Sequence, residues 1–449
     1  MTFAIVALTC KQPRFDPARP GRELPEWVTR AVDARVSRWA AAVLTLLFTV
    51  WVAVAAVFGR QDGRNPLTGV FDVLLWAGLL VTSLAFGPVW RAISPVRTVF
   101  RLINPHNGWL RYPPWCGYWP AAFALLTLAW LQLASPNLGT LTTIELWLLC
   151  YVVVMLTGAM LFGQRWFAWA DPFEVYSVAV SRLSPFRRNR ANGRIGVGNP
   201  LDHLPSMPVR PGAFAVLAIL LGSAAFEMFS AITRVEDFVY DHAPDVPLVT
   251  DSVGATILRT TGLLVFIAVV AVTFWASALA TGGVDEDQRR RLPGLLAHSL
   301  IPIIVGYLLA HHFAYLVEQG QDTVILLADP LGRDWDLLGL HIGDGSYWLS
   351  QHPRVLWSGK VACLVVGQIV AVVAAHDRAI TSEGPSNQRP AADDARDGRL
   401  RLRRPIPVVR RLIERRRPPR WWRGVGGCAL PRTGARAQKA RSVPGKSGT

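Results

Sequence analysis

A few residues with chemical potential sit inside otherwise apolar stretches of this chain: Glu145, Glu227, Arg259, His298, His311, His312 and Glu318, with the amide Gln368 as a polar neighbour. An ionisable group is costly to place in a hydrocarbon layer, so each is a functional candidate by default. The run 296–317 is the richest. On a 3.6-residue period Tyr307, His311, Tyr315 and Glu318 share one stripe, and His298 and His312 share another. Imidazoles with one or two carboxylates, Glu227 among them, can hold a divalent metal with an open position and activate a water, with Glu318 as general base. The same groups can relay protons, hold a substrate cation, or satisfy one another between helices. No spacing matches H-E-x-x-H or another tight metal motif.

The segment 318–358 adds Asp322, Asp329-Pro330, Asp334, Asp336, His341 and His352. Asp329-Pro330 reads as a helix cap followed by a first helical residue. Asp334, Asp336 and His341 are placed over the helix end carrying His311 and Glu318, as substrate-binding candidates on a loop held by rigid helices. A solvated acidic lid is the plainer reading.

The elements that must position these groups follow from composition. Of 449 residues 51% are hydrophobic and 17% charged, whereas a soluble domain carries roughly 25% charged residues. Apolar runs long enough to cross roughly 30 Å of hydrocarbon occur at 39–58, 70–90, 117–135, 142–163, 213–232, 260–280, 296–317 and 359–376. In lipid such runs must be helices, because nothing else there satisfies the backbone. The fold class expected is therefore all-α: a polytopic bundle of about eight spans. Lys+Arg counts in the connecting segments run seven, two, four, none, seven, two, three, two and nineteen from the N-terminus to the tail. That alternation places both termini in the cytoplasm. Only four of the 47 basic residues are Lys, at 11, 360, 439 and 446; this implies a G+C-rich coding sequence and hence a bacterial inner (plasma) membrane. Trp39, Trp90, Trp119, Trp166, Trp275 and Trp357 fall near the ends of the runs, where an interfacial aromatic belt is expected.

Residues 1–38 form a cytoplasmic segment whose first ten residues, Met1 to Cys10, read as the last turns of a helix beginning further upstream. The five cysteines are scattered, so neither a disulfide framework nor a cysteine zinc site is expected. Two loops open alike, Phe86-Gly87-Pro-Val-Trp90 before Ser94-Pro95 and Phe162-Gly163-Gln-Arg-Trp166 before Asp171-Pro172, which suggests a duplicated hairpin. Asp171-Pro-Phe-Glu174 has the form of a capping box, and Val175 to Leu183 reads as a short amphipathic helix on the membrane surface. The tail, 377–449, carries nearly all of the +16 net charge and is expected to be disordered. Its 401–423 stretch, with Trp421-Trp422, is expected to bind anionic lipid headgroups; nucleic acid is the weaker reading and is not expected.

Several stretches together carry a resemblance: Phe162-Gly-Gln-Arg-Trp-Phe-Ala-Trp-Ala-Asp-Pro-Phe-Glu-Val-Tyr-Ser177, Asn199-Pro-Leu-Asp202, Ala297-His-Ser-Leu-Ile-Pro302, Gly306-Tyr-Leu-Leu-Ala-His311, Gln319-Gly-Gln321, Asp329-Pro-Leu-Gly332 and Ala375-His-Asp-Arg378. Over about residues 1–378 the chain resembles bacterial multi-spanning membrane proteins known as fenitrothion hydrolase. The resemblance implies organophosphate triester hydrolysis and carries over His298, His311 and His376 as a site; with Glu227 they form the metal set expected for a divalent ion or haem. It also implies His where this chain has Gln368 and an aromatic where it has His312. The alternative is a membrane protein of another role that handles a metal or haem, or a transporter built from repeated hairpins, using the same intramembrane His and Glu.

Overall fold

The computed structural model describes residues 15–383 apart from 17–18, 20, 104–107, 190, 233–237, 240–250, 281–291, 334, 336, 338 and 340–344. The expected helix end at residues 1–10 and the basic tail beyond 383, with its 401–423 stretch, lie outside the described residues.

The all-α expectation holds. Seven of the described helices are long and apolar enough to cross a membrane. These are α1 (Arg35–Phe58), α2 (Pro66–Phe86), α4 (Leu141–Phe162), α5 (Ala213–Ser230), α6 (Asp251–Leu279), α7 (Leu292–Ala328) and α8 (Pro353–Glu383). The remaining predicted crossing is α3 (Trp119–Leu133), whose 15 residues span only about 22 Å at 1.5 Å per residue. α6 starts at 251 instead of 260, α7 continues to 328 instead of 317, and α8 runs on to 383. Polar residues extend these helices beyond their apolar runs, where hydropathy gives no signal. α7 is the most buried of the spans and α6 the least. Exposed rows such as Leu44, Leu47 and Phe58 on α1 and Val265, Val269 and Val272 on α6 are surfaces fitted to hydrocarbon.

Close helix contact rests on missing side chains. A Cβ on Gly306 of α7 would sit 2.6 Å from the Cys363 carbonyl oxygen and 3.1 Å from Gly367 Cα of α8. With no water to expel between helices, such small-residue approach is the main source of packing in a bilayer.

The duplicated opening sequences fold alike. α2 ends at Gly87 (φ +97°) and α4 at Gly163 (φ +69°), a conformation open to glycine and strained for other residues. Each is followed by a short helix, Trp90–Ile93 or Gln164–Ala170. An extended residue then begins a proline-led helix: Ser94 before Pro95–Ile103, and Asp171 before Pro172–Val180. Ser94 Oγ accepts from Arg97 N (3.4 Å), and Asp171 Oδ1 accepts from Phe173 N (3.0 Å) and Glu174 N (3.4 Å).

Three expectations change here. The helix Pro172–Val180 does not lie on a surface: all but one of its residues are buried. Tyr176 stacks on Trp76 at 5.1 Å, Phe173 packs against Tyr151 and Trp147, and Ser177 shares a 2.7 Å hydroxyl contact with Ser83. Apart from Glu174 the segment is apolar or small on every side, so it lacks the polar face that an interfacial helix needs. The capping box is half formed, since Glu174 turns away from the cap towards Arg91 and Arg97. Of the six tryptophans, Trp39, Trp119, Trp275 and Trp357 are exposed, whereas Trp90 is buried as a donor to Asp171 and Trp166 packs against Gly158.

A three-stranded antiparallel sheet, β1 (Arg22–Glu23), β2 (Phe186–Arg188) and β3 (Ile195–Val197), has the order β1-β3-β2 and was not expected. It fastens the segment before α1 to the loop between α4 and α5. The ion pairs around it, such as Arg188–Asp33 at 2.7 Å, are about half exposed and contribute little.

Candidate functional site

The middle of α2 is a π-helix, Val70–Gly78, and its third residue is Asp72. Such wide turns recur at functional sites because they re-aim a side chain that a regular helix would pack away. Asp72 faces α3, where Gln132 Nε2 donates to its Oδ1 at 2.8 Å. α5 contributes Ser223, Ala224 and Glu227 to the same space. α7 contributes Leu308, His311, His312 and Tyr315, a stripe at i, i+3, i+4 and i+7. These groups line a cavity of about 310 Å³ whose remaining wall is largely apolar, with Trp76, Ala129, Leu133 and Leu138. Leu138 and Gly139 belong to the turn between α3 and α4, so the cavity lies at that end of the bundle.

Within it His311 Nε2 lies 3.2 Å from Glu227 Oε1, with both side chains 30% exposed. His312 is buried, and its ring stands 4.8 Å from that of His311 at 73°. A carbonyl only accepts, so His312 Nδ1–H donates to Leu308 O (3.2 Å), which leaves Nε2 with a lone pair. One donor atom from each of Glu227, His311 and His312 lies within 4.8 Å of the other two.

The structure thus brings together two of the residues expected as metal ligands, Glu227 and His311, and adds His312 from the neighbouring stripe. His298 lies elsewhere: thirteen positions earlier in the same helical run, it is on the order of 20 Å away along the axis. It is buried, and its Nδ1–H donates to Leu295 O at 2.8 Å. His376 lies on α8, near the end that packs on the His298 turn. One ion cannot take all four expected ligands at that separation. Gln368 is exposed on α8 and joins neither group.

Glu318 does not line the cavity. It is buried, and its carboxylate accepts from Ser350 N (2.8 Å) and from Ser350 Oγ. One turn on, Asp322 accepts from Tyr347 OH at 2.8 Å, and Gln321 accepts from Ser346 N at 2.8 Å. The extended end of α7 is therefore a clamp for residues 346–350, and the base expected at Glu318 has a structural partner. Asp329 is a C-cap and accepts from Arg333 N (2.9 Å) in a turn; no helix begins at Pro330. Asp334, Asp336 and His341 lie outside the described residues.

Asp72 and Gln132 are the cavity groups that sequence reasoning missed. Asp72 stands at the edge of its apolar run and reads as interfacial, and a π-helix has no hydropathy signature. The available signal was its isolation: it is the only charged residue in 66–86.

A second polar cluster joins the duplicated hairpins at the opposite ends of α2 and α4. Arg97 and Glu174 occupy equivalent third positions in the two proline-led helices and pair with each other; Arg91 Nε reaches the same carboxylate at 2.8 Å. Asp171 is fully buried and takes Trp90 Nε1–H at 2.8 Å. Burial pushes the Asp171 carboxyl up to about 7, against the opposing pull of Trp90 and Arg97. The folded state then binds this proton more tightly than the unfolded chain does. Its contribution is fully present below the ordinary carboxylate range and is lost as pH rises through about 7. We expect the unfolding midpoint in micelles to fall as pH rises across that window. Asp171→Asn, which keeps the cap and loses the titration, should flatten the slope at a cost of about 1–3 kcal/mol for the stranded Trp90 N–H.

No family model, curated protein or solved structure matches this chain.

Proposed function

We propose that the chain is a multi-pass protein of a bacterial plasma membrane, both termini cytoplasmic, that hydrolyses a neutral, lipid-soluble ester in the cavity between α2, α3, α5 and α7. The observation that carries this reading is the make-up of that cavity. Asp72, Glu227, His311 and His312 share one small space with apolar walls, inside helices whose outer faces suit hydrocarbon. A cavity of about 310 Å³ lies at the small end of the range for drug-sized ligands, roughly 300–1,000 Å³. The apolar part of the wall, with Trp76, Leu133 and Leu138, suits the organic groups of an uncharged substrate partitioning from lipid, and the carboxylates and imidazoles supply the groups to activate water.

The Lys+Arg alternation supports the orientation and, with no basic residue in the adjacent turn 136–141, supports a cavity facing the outer leaflet. The resemblance to fenitrothion hydrolases supports a phosphotriester as the substrate class. The basic stretch 401–423 is read as an anchor for anionic lipid headgroups. The test is release of the phenol from a neutral aryl phosphotriester by the purified full chain in lipid nanodiscs. Release above that of empty nanodiscs is expected, and its absence with every divalent metal tried overturns the reading.

The duplicated hairpins favour a second reading, carriage of a substrate, because repeats are the common framework of transporters. Accumulation of the intact ester in sealed vesicles without phenol release would select it.

A further inference from the structure

We propose that Glu227, His311 and His312 are the three protein ligands of one divalent transition-metal ion of the zinc class, with a fourth position open to the cavity. The inference rests on the reading of this cavity as a hydrolytic site and names its cofactor and ligands. Two imidazoles and one carboxylate with an open position form a ligand set used by hydrolytic zinc centres.

The geometry supports it at each ligand. Donors about 2.0–2.1 Å from a tetrahedral ion sit roughly 3.3 Å from one another. His311 Nε2 and Glu227 Oε1 are already 3.2 Å apart, so an ion can replace the proton between them without moving either helix. His312 is fixed by its Nδ1–H bond to Leu308 O, the kind of outer contact that sets the tautomer of a metal-bound imidazole and frees Nε2 for the ion. The three donor atoms lie within 4.8 Å of one another, so closure on an ion needs only side-chain adjustment. An Asp72 oxygen held by Gln132 keeps a carboxylate on the facing wall of the cavity.

An ion held there would polarise a water, and the Asp72 carboxylate would take its proton as an O–H bond breaks. The hydroxide oxygen would form a bond to phosphorus as the bond from phosphorus to the aryl oxygen breaks. The phenolate would leave with the electron pair and take up the proton from Asp72. No oxidant or reductant is required.

The test is metal analysis of the full chain, free of any polyhistidine tag, in detergent micelles after loading with Zn²⁺ and dialysis. One retained Zn²⁺ per chain is expected. Co²⁺ loaded in its place should give the visible spectrum of low-coordinate imidazole and oxygen ligation. Glu227→Gln and His312→Ala should each weaken Zn²⁺ binding by roughly 100-fold or more, and His376→Ala should leave it unchanged. Wild-type protein without retained Zn²⁺, folded Glu227→Gln and His312→Ala variants that bind like wild type, or loss in His376→Ala would overturn the proposal. The Co²⁺ spectrum of wild-type protein keeps the test independent of whether the variants fold. Triester hydrolysis by metal-stripped chain removes the metal and leaves the hydrolytic reading; Zn²⁺ held without hydrolysis does the reverse.

Discussion

Glu227→Gln is expected to lower kcat/KM for triester hydrolysis on the order of a thousandfold, about 4 kcal/mol of barrier, while leaving the protein folded. Gln has nearly the same shape, and its amide oxygen can still accept from His311 Nε2–H, which sits 3.2 Å from Glu227 Oε1. The substitution removes the negative charge that would stabilise a cation between His311 and His312. Charge acts more strongly there than in water, because a cavity recessed between packed helices screens it less. The loss should appear mainly in kcat, since a neutral ester gains little binding from the carboxylate. The unfolding midpoint should move by no more than a neutral hydrogen bond is worth, about 1 kcal/mol. Stopped-time phenol release and a thermal scan on the same preparation check both halves. Glu227→Gln with more than a tenth of wild-type turnover would show that this carboxylate does not act in the reaction.

The largest effect on stability is expected at the other end of the bundle, where Arg97→Ala should cost about 3–5 kcal/mol. Arg97 and Glu174 side chains are 7% and 0% exposed. Removing the guanidinium strands a carboxylate in a place that water does not reach. Arg91 cannot replace it fully, because its side chain is 53% exposed and touches the other oxygen. Burial already raises the Glu174 carboxyl above its ordinary range despite both arginines, so the stranded group would take up a proton at the cost of folding free energy. Replacing both partners, as Arg97→Met with Glu174→Leu, should cost less than Arg97→Ala alone, because no buried charge is left behind. Denaturation in mild detergent gives the comparison. A single variant within 1 kcal/mol of wild type, or a double variant worse than the single, would contradict the account of this cluster.

How far the fold could be read from the sequence depended on the reach of each interaction. The spans were legible because lipid forces every long apolar run into a helix. Their ends were not: α7 runs on to Ala328 through Glu318, Gln321 and Asp322, which look like loop residues until Ser350, Ser346 and Tyr347 are seen clamped to them. That extension also explains Glu318, which shares a helical stripe with His311 and yet serves the clamp. Glu227 and His311 were legible as costly groups in apolar runs. His312 fell on a separate stripe, because neighbours in a helix point about 100° apart, and only α5 packing beside α7 shows that both rings reach one space. Asp72 was hidden by a π-helix that no residue pattern announces. The burial of Pro172–Val180 depends on partners nearly 80 positions away, Arg97 and Trp90, and local periodicity carries no information at that distance. The strands of two or three residues were too short to show any alternation.

The most direct measurement compares two substrates on one wild-type preparation in nanodiscs: a neutral aryl phosphotriester and the anionic diester with the same leaving group. A cavity recessed between membrane-spanning helices and lined by two carboxylates, Asp72 and Glu227, should release the phenol from the triester at least roughly 100-fold faster than from the diester, which must be stripped of water and brought beside like charge. Equal rates, a faster diester, or no release from either would contradict a hydrolytic site in this cavity.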